Sequence, residues 1–142
     1  MYCSIDDMIG MLPEQTIIEL SSDTHPYASP DMGNIGKAIG LADGVIDGYL
    51  ARRMPVPLSD VPRLIRNLSA KMAIRFLHVR KHIFSEIWEK EYDNAVKILK
   101  AISDGKMGLG QDEDTEPAKS EPVLPHVASR KRKFTKEFWE TF

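Results

Sequence analysis

The chain has 142 residues, 42% of them hydrophobic, enough for one modest core and too few for two. Its formal net charge is −2, which gives the chain as a whole no drive towards nucleic acid or a membrane surface. The single cysteine, Cys3, excludes an intramolecular disulfide framework and the usual cysteine zinc sites, and Asp6 and Asp7 stand where a secretory leader would be basic. A reducing cytoplasm is the expected folding compartment.

Ser4 with Asp7 forms a capping pattern that predicts a short helix to about Leu12, and Pro13 predicts the start of another to about Leu20. Ser21 to Pro30, rich in Ser, Asp and Pro, reads as a loop. A helix then runs to about Ala51, with Ile35, Ala38, Ile39, Ala42, Val45, Ile46, Tyr49 and Leu50 at helical spacing. Gly36, Gly40, Gly44 and Gly48 form a stripe along it. Each helical glycine costs about 1 kcal/mol relative to alanine, so the stripe predicts a compensating close approach of another helix, within the subunit or across a subunit interface. Lys37, Asp43 and Asp47 interrupt the segment, which excludes a membrane span of about 18 uncharged residues.

Met54-Pro55-Val56-Pro57 cannot continue a helix. Ser59 or Asp60 is the expected cap of a third main helix with Pro62 in its first turn and Val61, Leu64, Ile65, Leu68, Met72, Phe76 and Val79 on its buried face. Ala70, Ala73, Ile74 and Leu77 widen that arc and mark this helix as the central one. Ser85 caps a fourth, with Ile87, Trp88, Tyr92, Ala95, Val96, Leu99 and Ile102 on one side and Gly105 as its stop. The fold class expected is all-α, a small bundle of about four main helices spanning residues 1–110, with an extended C-terminal arm.

The arm has two parts. Residues 111–128 carry five carboxylates against Lys119, with three prolines, and read as an acidic linker. Residues 129–142 carry Arg130, Lys131, Arg132, Lys133 and Lys136 against two glutamates, with Phe134, Phe138, Trp139 and Phe142 near one face of any helix they form. So short a helix is unstable alone, which predicts docking: to a partner chain or neighbouring subunit first, or back onto the domain, or to nucleic acid or a membrane.

Chemistry is thinly represented. His78 and His82 have the i, i+4 spacing of a metal pair, but basic neighbours oppose a cation, and both are expected as exposed polar residues with no metal and no cofactor. Asp43 and Asp47, also i, i+4, repel each other and predict a basic partner, Arg52, Arg53 or an arginine of the third helix, in a structural or inter-subunit ion pair. Arg63, Arg66, Lys71, Arg75, Arg80 and Lys81 give that helix a basic side, the basis for an alternative reading as a nucleic-acid-binding helical module that also uses the basic tail. An enzyme, metal-dependent through the two histidines, is the remaining rival.

The run Ala42-Asp43-Gly44-Val45-Ile46-Asp47-Gly48-Tyr49-Leu50-Ala51-Arg52-Arg53, then Pro55-Val56-Pro57-Leu58 and Val61-Pro62 before a long helix, resembles the Mu-like phage family assigned to head-tail joining. Trp88-Glu89-Lys90-Glu91-Tyr92-Asp93 with its following Ala-Val-Lys-Ile-Leu helix is similar too, and the likeness covers about residues 1–110. Met54 departs from it, standing where an aromatic usually follows the paired arginines. The resemblance implies a non-enzymatic adaptor in the virion neck, assembled in the host cytoplasm. Its subunits form a ring, commonly of twelve, beneath the portal protein, receive the tail or a stopper protein, and extend a channel through which DNA passes without sequence-specific binding. On that reading Gly36, Gly40, Gly44, Gly48, Asp43, Asp47, Arg52 and Arg53 serve subunit packing, and Arg130 to Phe142 grip the portal or an adjacent subunit.

Overall fold

The computed structural model of the protein describes residues 1–109, so both parts of the arm lie outside the described residues. Five helices follow in order: α1 (Ile5–Ile9), α2 (Glu14–Ser21), α3 (Met32–Leu50), α4 (Arg63–Arg80) and α5 (Glu86–Ser103). No strand occurs among the described residues, and the all-α class stands. Three long helices carry the bundle, with the two short ones packed against α4.

The starts and stops have local causes. The Ser4 amide donates to the Asp7 carboxylate at 2.9 Å, opening α1. Pro13 and Pro62 each occupy the position just before the first helical residue, with φ −57° and −61°. Pro62 therefore lies outside the first turn of α4 and holds the N-cap position expected for Ser59 or Asp60: proline forces Val61 into extended geometry, so the helix waits for Arg63. Asp31 caps α3, its carboxylate accepting from the Asn34 amide at 3.1 Å.

The C-termini of α4 and α5 close in the same way. Gly105, at φ +78°, ends α5 as expected: its amide bonds Ile102 O at 3.1 Å and the Lys106 amide reaches back to Ala101 O at 2.9 Å. His82, at φ +55°, does the same for α4, with His82 N to Val79 O and Ile83 N to His78 O both 3.0 Å. A left-handed histidine is strained where glycine is not. His82→Gly should therefore raise stability by about 0.5–1 kcal/mol, read as a higher denaturation midpoint at unchanged slope.

α4 is the central helix. From Leu68 to His78 no residue is exposed, and Ile65, Ala70, Met72, Ala73, Ile74 and Leu77 have no accessible surface. Each fully buried aliphatic side chain there contributes roughly 1.5–3 kcal/mol through burial. Val79, expected on the buried face, is instead 46% exposed, because the arc that α4 buries ends where α5 turns back.

α5 packs antiparallel to α4, as the pairs Lys71–Glu91 (2.8 Å) and Arg75–Glu89 (3.1 Å) show. Phe76 and Tyr92 meet edge to face at 5.8 Å, and the Arg75 guanidinium sits 4.6 Å above the Tyr92 ring. Trp88 stacks on His78 with centroids 6.5 Å apart. Every one of Trp88, Glu89, Lys90, Glu91 and Tyr92 thus has a partner, Lys90 joining Glu86 at 3.0 Å along α5. The stretch that carries part of the family resemblance is the seam of the α4–α5 hairpin.

Candidate assembly surfaces

Asp43 and Asp47 do not face arginines. The Asp43 carboxylate accepts from the Tyr2 amide at 3.0 Å and from the Ser69 hydroxyl at 2.7 Å, while the Tyr2 hydroxyl donates to Asp47. The Tyr2 oxygen in turn accepts the Leu58 amide at 3.0 Å, and Cys3 Sγ lies 3.3 Å from Ser69 Oγ. The two carboxylates therefore clamp the first three residues onto α3 and α4, and Tyr2 also pins the connection between those helices. Burial and the hydrogen bond to Asp47 push the Tyr2 phenol up to about 12. Burial pushes the Cys3 thiol up to about 11, so it stays protonated and unreactive at neutral pH.

The expected arginine partners lie elsewhere. Arg52 Nη1 is 3.7 Å from Asp104 Oδ1, and the Arg53 guanidinium lies where a Cβ on Gly105 would be. These contacts hold the C-terminal ends of α3 and α5 together. Nothing in the sequence signalled Tyr2, Cys3 or Ser69, since these contacts join residues 26 to 66 positions apart.

Among the described residues no helix lies against the glycine stripe. A Cβ on Gly36 would touch Met1 Cε at 3.4 Å, whereas Gly40, Gly44 and Gly48 are exposed and would meet nothing within 4 Å. Leu41, 58% exposed, projects from the same outer side of α3. Of the two arrangements the stripe allows, the intramolecular one is not found among the described residues.

A second apolar surface caps the α4–α5 turn. Phe84 is 78% exposed, and Val79, Ile83 and Ile87 are exposed beside it. Ile87, expected on the apolar side of α5, is exposed although α4 extends past its level, because its neighbour Trp88 takes the place against His78. Four large apolar side chains within nine positions form a patch of the kind that marks contact surfaces.

His78 is buried, contrary to the exposed position expected of it. Its Nδ1 lies 2.9 Å from Ile74 O, so that nitrogen carries the proton, and Trp88 covers the ring. His82 is exposed, at the helix stop described above. The pair is split by the end of α4, and among the described residues no group of three His, Cys, Asp or Glu side chains is placed to hold a metal ion. A shallow cup of about 330 Å³ lies in the α2–α3 loop, but its carboxylates are committed: Asp31 caps α3 and Asp23 pairs with Arg80. The Arg80 hydrogen bond holds Asp23 below the usual carboxylate range.

The basic side of α4 is largely spent inside the protomer. Lys71 and Arg75 pair with α5, Arg80 holds Asp23 and Leu20 O (3.1 Å), and Lys81 donates to Ser22 O. Among the described residues no helix is long and apolar enough to cross a membrane.

Comparison with known proteins agrees with the resemblance carried by residues 42–62 and 88–99. Gene product J of Escherichia phage Mu is 27% identical over 138 residues, covering 93% of this chain and 96% of that protein. The Mu-like prophage FluMu protein gp36 of Haemophilus influenzae is 28% identical over 93 residues, 66% of this chain and 64% of that protein. The family model for bacteriophage Mu Gp36 matches residues 2–125, a span that takes in the Tyr2 clamp, the glycine ridge and the α4–α5 seam. The chain belongs to the bacteriophage Mu Gp36 family.

Proposed function

We propose that the protein is a head-tail connector subunit. Copies assemble as a closed ring, twelve in number by the family resemblance, beneath the portal protein of a tailed phage or prophage particle. The ring receives the tail or a stopper protein and extends the DNA channel, and the protomer performs no catalysis. The observation that carries this reading is the outer side of α3: three glycines with open space above them, on a helix whose opposite side is fully buried. A bare ridge costs helix stability in the isolated protomer, and a neighbour's close approach offsets that cost. A ring needs such contacts to be heterologous and to close.

Phe134, Phe138, Trp139 and Phe142, preceded by Arg130 to Lys133, supply the anchor to the portal or an adjacent subunit. The sequence supports this role through four large aromatics at helical spacing behind a linker. Deleting residues 129–142 should leave the thermal melt of the helical domain unchanged and abolish co-assembly with the portal, scored by native mass measurement or imaging of the mixture. Co-assembly that survives the deletion removes the anchor role. The nucleic-acid module built on the α4 side loses its main support, since four of its six cations hold intramolecular partners.

A further inference from the structure

The net basic charge of the helical domain lies at one end of the bundle. The α3 C-terminus, the α4 N-terminus and the α5 C-terminus meet there: Asp43 bonds Ser69 across α3 and α4, α4 and α5 pair antiparallel, and Arg52 reaches Asp104. Residues 44–69 and 95–109 hold seven lysines and arginines against three aspartates, whereas the other described residues hold six against eleven carboxylates. All seven cations are exposed. Of the three aspartates, Asp47 is occupied by Tyr2, and Asp104 faces Arg52.

The geometry points to this end of the bundle as a contact for the phosphate backbone of duplex DNA. Arg63 and Arg66 on α4 stand level with Lys97 and Lys100 on α5, given the antiparallel register, on helices about 8–10 Å apart. Such an array offers charge to successive phosphates, and no aromatic side chain interleaves it to stack on a base, so the contact is independent of sequence. A protein partner would need an aromatic or clustered apolar anchor among the charges, and among the described residues Met107, 42% exposed, is the lone large apolar side chain exposed there. The α4–α5 turn, where Phe84 lies, is at the opposite end of the bundle. This inference deepens the connector reading by naming the end of the protomer that faces DNA, and draws on it only for the choice of polyanion.

The test is a salt titration of full-length protein with a short DNA duplex. Wild type should bind at low salt with log K falling linearly in log salt. A variant carrying Arg63→Gln, Arg66→Gln, Lys97→Gln and Lys100→Gln should keep its melting temperature and lose about 3 to 4 units of that slope. A second variant with Arg130, Lys131, Arg132 and Lys133 changed to Gln should retain most of the wild-type slope. Binding by the first variant equal to wild type, or lost only in the second, overturns the inference. So does loss of portal co-assembly in the first variant with its DNA affinity intact, which would make the basic end a site for an acidic protein. A chain that binds DNA as described and never joins the portal supports this assignment and removes the connector reading.

Discussion

A triple replacement of Gly40, Gly44 and Gly48 by alanine should stabilise the isolated protomer and prevent its assembly. Added methyl groups at these positions meet nothing within 4 Å, so the protomer accepts them without strain. Each replacement of an interior helical glycine by alanine gains about 1 kcal/mol, less near the helix end at Gly48, for a sum of about 2–3 kcal/mol. For a domain of about 100 residues that raises the melting temperature by roughly 10–20 °C. The same methyl groups would hold a neighbouring helix away from the ridge. Thermal melts by circular dichroism and mass measurement of the variant with its portal give the two readouts. A stabilised variant that still forms rings would place the subunit contact elsewhere, and a destabilised one would contradict the open ridge.

Tyr2→Phe is the second substitution with a large expected effect. It removes one hydroxyl and strands two groups, the Asp47 carboxylate and the Leu58 amide. Leaving such groups unpaired costs about 1–3 kcal/mol, more when one is charged. The loss should appear as a lower melting temperature and as faster hydrogen exchange at Leu58. The pH dependence has a definite sign. The fold raises the Tyr2 pKa from 10.0 to about 12, so it stabilises the protonated phenol. That contribution is complete below pH 10 and disappears as pH climbs through 12. Cys3, raised from 9.0 to about 11, behaves in the same way one unit lower. Wild-type stability should therefore fall between pH 9 and 12, and Tyr2→Phe should flatten the upper half of that fall. An unchanged profile in the variant would show that the phenol is not clamped.

Local punctuation made several helix ends legible in the sequence. Pro13, Ser85 and Gly105 mark them within a residue, because each acts through its own backbone geometry. The enclosure of α4 was legible as well, since Ala70, Ala73, Ile74 and Leu77 widen its apolar arc beyond one seam. What periodicity does not encode is which neighbour, if any, a given face meets. The glycine ridge was found on that basis, and its open surroundings were not. Tyr2 and Ser69 look ordinary in sequence, and only folding brings them to Asp43 and Asp47. Val79 and Ile87 obey the helical period and are nonetheless exposed: Val79 lies at the end of the packed length of α4, and beside Ile87 it is Trp88 that enters the seam. His78 was expected in solvent because its sequence neighbours are basic, and Trp88 from the next helix encloses it.

The enclosure of α4 divides the tolerance of this chain to change. Between Leu68 and His78 each side chain has neighbours whose shape it must match, so variation there is held to near-isosteric swaps. The outer side of α3 and the flanks of α5 carry no such obligation to the protomer's own interior. On the proposed connector reading, divergent phages can therefore retune what the particle docks to by altering the rim while inheriting the axle unchanged.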